Sequence, residues 1–256
     1  MLFDSIIYGP IHSRRLGVSL GVNLMPADHK LCSFDCVYCE IGWNTPVSHP
    51  KLPSREEVAK ALENALQHLD RQPDVITFSG NGEPTMHPDF EGIIADTCAL
   101  RDKYCPNAKV SVLSNSTQVV RKEVFRALLQ CDNRIMKLDS GIDRTMQLID
   151  RPVNKALTVA TIIERLQHFN GDFTLQTCFL RGIVPDGVGR TAIDNTTAEE
   201  LEAWYKAVDL LRPRQIMIYV IDRKTPCETL EKISREQMES IAAPLREKGY
   251  EVIVSA

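Results

Sequence analysis

The chain has 256 residues, 43% hydrophobic and 25% charged, an ordinary balance for a folded globular protein that excludes a disordered or low-complexity polypeptide. A formal net charge of -4 excludes a global electrostatic pull toward nucleic acid or anionic membrane. The opening Met1-Leu2-Phe3-Asp4 lacks a basic leader, and no apolar run has membrane-spanning length, so a cytoplasmic protein is expected.

One domain over residues 1–256 is expected from this length. Ser19 to Met25, broken by Gly21 and Asn23 and closed by Pro26, reads as a first strand. It delivers the chain to Cys32-Ser33-Phe34-Asp35-Cys36-Val37-Tyr38-Cys39. From Ser54 to Asp70 the apolar positions Val58, Ala61, Leu62, Ala65, Leu66 and Leu69 line one face of a helix, opened by a capping box of Ser54 and Glu57. Val75-Ile76-Thr77-Phe78 is a nearly continuous apolar run, as expected of a strand covered on both faces, and it runs into Ser79-Gly80-Asn81-Gly82-Glu83-Pro84. The alternation continues with a helix near Pro88 to Tyr104, a strand Lys109 to Leu113, a helix Val119 to Cys131 and a strand Arg134 to Asp139. Helical segments between Asp143 and Phe169 precede a strand Phe173 to Leu180, and a helix Thr197 to Leu211 precedes a strand Gln215 to Ile221. A last helix starts at a second capping box, Ser234 with Gln237, and Pro244 is expected to kink or interrupt it before a closing strand Tyr250 to Val254. Between the fifth strand and the next helix, Gly182 to Asn195 reads as a long pliable loop with Arg190 as its only cation, expected to gate the substrate as a lid.

Six strand-helix units, with strand ends near Met25, Gly80, Asn115, Asp139, Gly182 and Asp222, predict an α/β fold: an incomplete (β/α)6 parallel barrel. Such barrels carry their working residues on the loops after the strands, and here the cysteine loop, the glycine turn and the polar strand ends fall there.

Eight cysteines in a reducing compartment are metal ligands or core residues before they are disulfides. Three thiols on one short loop suit a soft metal, iron-sulfur or zinc. Including His29 gives H-x2-C-x3-C-x2-C, which would serve as a tetrahedral zinc clip in a non-enzymatic module; both readings stand on these residues alone. Lys137 and Asp139 share one face of an otherwise apolar strand, and a buried pair of this kind needs either a polar ligand or an internal ion pair. Gln176 and Tyr219 point along the later strands as ordinary core polar residues or ligand contacts, and Arg181, Arg223 and Lys224 follow those strands as loop cations. Arg14 and Arg15 read first as a solvated or ion-paired couple. Of Cys98, Cys105, Cys131, Cys178 and Cys227 none has the close spacing of a second cluster; Cys227 is the one placed to face the site, with a core or surface role favoured.

The spacing C-x3-C-x2-C, with the aromatic Tyr38 before its last cysteine, resembles the signature of radical S-adenosylmethionine enzymes. Gly82-Glu83-Pro84 stands where that superfamily has a G-x-E-P type motif. Gly9-Pro10, Ser13-Arg14-Arg15-Leu16-Gly17, Phe78 through Thr85 and Lys137-Leu138-Asp139 are similar to a family related to the wyosine-synthesising tRNA enzymes. The length and single barrel also resemble the activating enzymes that install glycyl radicals. The resemblance implies a 4Fe-4S cluster on Cys32, Cys36 and Cys39, its fourth iron open to the amino and carboxylate groups of S-adenosylmethionine. It places Tyr38 by the adenine, Gly80, Asn81, Gly82 and Glu83 at the methionine amino group, and Ser114, Asn115, Lys137 and Asp139 at the methionine and ribose. It implies an oxidoreductase in which an electron from flavodoxin or ferredoxin releases a 5'-deoxyadenosyl radical that abstracts hydrogen from a substrate; no further catalytic residue is implied. Wyosine enzymes carry cysteines upstream of the radical motif, whereas this chain has none before Cys32. That departs from wyosine chemistry, and because the chain is acidic overall a small molecule or protein segment is the expected substrate, ahead of tRNA, with no membrane partner.

Overall fold

The computed structural model describes residues 2–13 and 15–256, so Arg14 lies outside the described residues. The strands of the main sheet follow the order β1-β2-β3-β4-β5-β6-β9-β11, and the alternation of parallel strands with helices is that of the incomplete α/β barrel expected from the sequence. These are β1 (Ile7–Ser13), β2 (Gly17–Val22), β3 (Val75–Phe78), β4 (Lys109–Ser114), β5 (Asn133–Lys137), β6 (Thr174–Cys178), β9 (Gln215–Tyr219) and β11 (Val252–Ser255). The chain groups into two compact units, one of Met1–Ser33 with Asn44–Ile135, the other of Phe34–Trp43 with Met136–Ala256.

In the first unit, β2, β3 and β4 run parallel, with Ser19 beside Val75 and Val75 beside Lys109. All four residues of β3 are buried, which is why its apolar run is continuous rather than alternating. Helices α1 (Arg55–Gln67), α2 (Phe90–Tyr104) and α3 (Lys122–Gln130) cover these strands. The capping box forms: Ser54 Oγ accepts the Glu57 N–H, and Glu57 Oε2 accepts the Ser54 N–H at 2.7 Å. Strand β1, which the sequence reading missed, pairs antiparallel with β2 at the sheet edge, and an irregularity between Tyr8 and Ile11 accommodates Pro10. Tyr8 explains Gly21 of β2, because a Cβ there would lie 2.1 Å from the Tyr8 ring.

In the second unit, β6, β9 and β11 run parallel, Cys178 beside Tyr219 and Ile216 beside Val252. Its helices are α4 (Asp143–Ile149), α5 (Val159–Gln167), α6 (Ala198–Leu211) and α7 (Arg235–Glu247). Trp204 of α6 packs edge-on to Phe179 and donates its indole N–H to Thr177 Oγ1 at 3.0 Å.

Three expectations need correction here. The segment Gly182 to Asn195 is no irregular loop: β7 (Leu180–Pro185) and β8 (Arg190–Asp194) form a hairpin, and β10 (Leu230–Lys232) completes a three-stranded antiparallel sheet ordered β10-β7-β8. Its glycines lie at the tip and in the strands, where Asp186 Oδ1 accepts the N–H groups of Val188 and Gly189. Helix α7 continues through Pro244 to Glu247, so of the kink or interruption expected there the interruption is overturned. The second capping box is half made, since Ser234 Oγ accepts the Gln237 N–H but the Gln237 side chain is spent on Arg181 and Thr196. Among the described residues no helix is long and apolar enough to cross a membrane.

Candidate functional site

The first unit carries Cys32 and the ends of β3 and β4. Leu31, just before Cys32, donates its N–H to Asn81 O at 2.9 Å and accepts the Glu83 N–H at 3.2 Å, so the glycine turn is clamped onto the start of the cysteine loop. That clamp requires glycine: Gly82 has φ +154°, and a Cβ there would lie 1.7 Å from the Leu31 carbonyl oxygen. A Cβ on Gly80, at φ +131°, would lie 2.6 Å from Asn23 Oδ1. Asn81 is fully buried and its amide is committed within the protein, Nδ2 donating to Phe3 O and Pro26 O at 2.7 Å and Oδ1 accepting the Phe3 N–H.

Glu83 ties this turn to the end of β4. One carboxylate oxygen accepts the Asn115 N–H at 2.7 Å and the other accepts from Thr85 N and Oγ1. Burial pushes its pKa up, and the bonds from Asn115, Thr85 and Ser114 hold the rise in check. Ser114 Oγ accepts the Ser116 N–H at 3.1 Å. Asn115 Nδ2 donates to Ser33 Oγ at 2.9 Å and reaches Cys32 Sγ at 3.5 Å, while its Oδ1 accepts from Thr117. His29 is turned to Asp28, Nδ1 to Oδ1 2.7 Å.

The second unit carries Cys36, Tyr38 and Cys39. Its part of the cysteine loop is held by main-chain bonds: Asp35 N to Asp150 O, Val37 N to Ile149 O, and Cys227 N to Val37 O. Cys227 is buried in an apolar cluster with Val37, Ile149, Cys178 and Leu180, which of the core or surface roles expected from the sequence selects the core.

Lys137 and Asp139, on one face as strand alternation predicts, are joined by a residue the sequence did not flag. Lys137 Nζ lies 3.1 Å from Asp139 Oδ2, 2.6 Å from Asp150 Oδ1 and 2.9 Å from Cys36 Sγ, and 4.7 Å above the Tyr38 ring. The Tyr38 hydroxyl donates a very short bond to Asp139 Oδ2, and Asp139 Oδ1 accepts the Cys178 N–H at 2.9 Å. Burial opposes the Lys137 charge, but Asp139, Asp150 and Cys36 outweigh it and push the pKa well above the usual lysine range. Burial likewise raises Tyr38, reinforced by Asp139.

One ammonium cannot neutralise two buried carboxylates, and Asp150 is the one that yields: burial pushes it up to about 8, Lys137 opposing and Asp139 adding to the rise. A carboxyl with a raised folded-state pKa keeps its proton while the unfolded chain has already lost it. Stability therefore falls as pH rises from the ordinary value of 3.8 to about 8 and levels off above. Urea midpoints at pH 5 and pH 8 should fall across this window in the natural chain and fall less in Asp150→Asn. Equal slopes would place the proton elsewhere.

The remaining expected residues sit as follows. Gln176 is buried on β6, and Tyr219 meets Tyr38 edge-on at 6.4 Å. Arg223 pairs with Glu40 and Lys224 with Glu228, both exposed, and Arg181 with Asp194 at 3.7 Å. These are surface pairs of small worth. All eight cysteines are free thiols. Among the described residues no three His, Cys, Asp or Glu side chains converge on a single-ion position, so a ligand role for Cys32, Cys36 and Cys39 rests on their spacing and chemistry.

The comparisons bear on this arrangement. A family model described as the Radical SAM superfamily matches residues 29–192, more than half of the chain. The chain is 32% identical over 239 residues to a protein named GTPase Obg of Brachyspira hyodysenteriae, covering 91% of this chain but 32% of that one. It is 30% identical over 181 residues to a UPF0026 protein of Helicobacter pylori, covering 70% of this chain and 57% of the relative. The chain thus spans a third to somewhat over half of the length of these curated relatives. Among solved structures, SuiB of Streptococcus suis bound to the precursor peptide SuiA superposes with a TM-score of 0.65 at 11% identity, over 92% of this chain and 48% of that one. TYW1 with a lysine-pyruvate adduct superposes with a TM-score of 0.61 at 13% identity, over 90% and 73%. At such identities these two establish the fold, a half-barrel of mostly parallel strands.

Proposed function

Because the chain belongs to the radical SAM superfamily, we propose that it is an iron-sulfur oxidoreductase that reductively cleaves S-adenosylmethionine, with Cys32, Cys36 and Cys39 as the ligands of a 4Fe-4S cluster. The observation that carries this reading is that two of the three sulfurs each face a nitrogen donor, Asn115 Nδ2 at Cys32 and Lys137 Nζ at Cys36. Donors aimed at sulfur suit thiolates that share negative charge with a metal, whereas a neutral core thiol needs none. When bound, the cluster and S-adenosylmethionine would supply a 5'-deoxyadenosyl radical able to abstract hydrogen from carbon.

The chain's own contribution is placement. Leu31 clamped on the glycine turn fixes the position of Cys32, and the bonds of Asp35 and Val37 fix that of Cys36. Asn81, Gly80 and Gly82 shape the turn that would receive the cofactor's amino group, and Glu83 locks that turn to Ser114 and Asn115. Tyr38, held by Asp139, would offer its ring to the adenine, with Lys137 and Asp139 at the methionine and ribose. The expected electron donor is flavodoxin or ferredoxin. The substrate class we favour is a small molecule or protein segment ahead of tRNA, because the chain is acidic overall.

An anaerobic preparation tests the core of this. It should be brown, carry about four irons per chain, and release 5'-deoxyadenosine and methionine on reduction with S-adenosylmethionine. A colourless protein with one tightly held zinc would sink the proposal and restore the zinc-clip reading.

A further inference from the structure

Arg151 is left unused by the function proposed above. It stands two residues past the end of α4, in the left-handed region at φ +47°, where a residue with a side chain stays only if its surroundings impose it. The cysteine loop imposes it, because Asp35 N–H is shared between Asp150 O at 2.9 Å and Arg151 O at 3.2 Å. The turn lays the guanidinium over the Trp43 indole, 5.2 Å from the ring centroid, and Nη1 donates to Pro185 O at the end of β7 at 3.0 Å. Trp43 is 37% exposed, so the stacked pair opens to solvent.

What this arginine lacks is an anion. Among the described residues it makes no ion pair, and its Nε is buried with no hydrogen-bond partner. Arg101, also partly buried, is matched by Asp102 and Asp132, and Arg121 by Glu123. Asp150, next in sequence, is no substitute, since its carboxyl is turned to Lys137. A guanidinium held over an indole, with Nη1 pinned to a carbonyl, has at its outer end a fork of N–H groups that fits a carboxylate or phosphate.

We propose that Arg151 and Trp43 form a subsite for an oxyanion of the substrate. The assignment rests on reading the cysteine loop as the reaction centre: Asp35 and Trp43, which hold the subsite, flank Cys36 and Cys39 in the chain. The substrate is thereby an anionic molecule or an acidic side chain, bound by its charged group beside the loop.

Tryptophan fluorescence tests this directly, because Trp204 is buried in the core and Trp43 is the indole that solvent and ligands reach. The chain of residues 1–256, iron-free and iron-loaded, is titrated with inorganic phosphate and with succinate, against chloride at matched ionic strength. A saturable change with phosphate or succinate and none with chloride is expected, and the tighter of the two identifies the oxyanion. Arg151→Gln should weaken that response about tenfold or more. Arg151→Lys, which keeps the charge but loses the fork, should weaken it severalfold and stands in if the Gln variant fails to fold. S-adenosylmethionine affinity and iron content should be unchanged in both. An unsaturable response, or one equal in the variants, overturns the subsite, and loss of S-adenosylmethionine affinity assigns Arg151 to the cofactor instead. Saturation in a chain that assembles no cluster would leave the subsite standing and defeat the function proposed above.

Discussion

Cys36→Ala should abolish iron binding and cofactor cleavage together while leaving the fold intact. Cubane clusters are anchored by their thiolates, and the remaining two cysteines would not retain one. The fold should survive because the ammonium that meets Cys36 Sγ stays held by Asp139 and Asp150 when the thiol is removed. Val37 remains fixed through its own main-chain bonds. Iron should fall to background, 5'-deoxyadenosine should drop below detection, and the circular dichroism spectrum should match that of the natural chain. A Cys36→Ala protein that kept a full cluster and turned over would show the ligand assignment to be wrong.

Gly82→Ala should be the most damaging single methyl added outside the core. Its Cβ would overlap the Leu31 carbonyl oxygen at 1.7 Å and carbon at 2.5 Å, both backbone atoms that cannot swing aside. Relief requires giving up the Leu31 N–H bond to Asn81 and the Glu83 N–H bond to Leu31. Strain at a glycine-only conformation plus the breaking of two hydrogen bonds amounts to about 2–6 kcal/mol. Urea unfolding should show that loss, and cluster occupancy should fall with it because Leu31 precedes Cys32. An unchanged midpoint would mean that the turn rearranges freely.

The parts of the fold that repeat were legible. Period and punctuation located β3, α1, β4 and α6 within a few residues, because each buries a regular face. Two of the misread elements have backbones that look broken in sequence: β1 contains Gly9-Pro10, tolerable at a sheet edge, and the β7-β8 hairpin contains Gly182 and Pro185. Cysteine spacing announced the candidate site, and strand alternation placed Lys137 beside Asp139. Asp150, Arg151 and Trp43 gave no such signal. An Asp capping a helix C-terminus reads as a surface acid, and an Arg before a proline reads as a loop cation; both gain meaning only from the Asp35 bond, which joins residues far apart in sequence. Gly82 is glycine because the Leu31 carbonyl fills the space of a Cβ, a contact that no local sequence pattern announces.

The fastening of the cysteine loop by main-chain bonds bears on how the protein meets oxygen. Leu31 is tied in one unit, Asp35 and Val37 in the other, and none of these ties passes through a thiol. In small zinc domains metal binding is itself the folding energy, and removing the ion unravels the chain. Here the grip on the loop belongs to the polypeptide. In the enzyme proposed above, oxidative loss of iron would then empty the loop without opening it, sparing the chain from proteases and leaving it fit to be reloaded. Damage becomes a matter of repair rather than resynthesis.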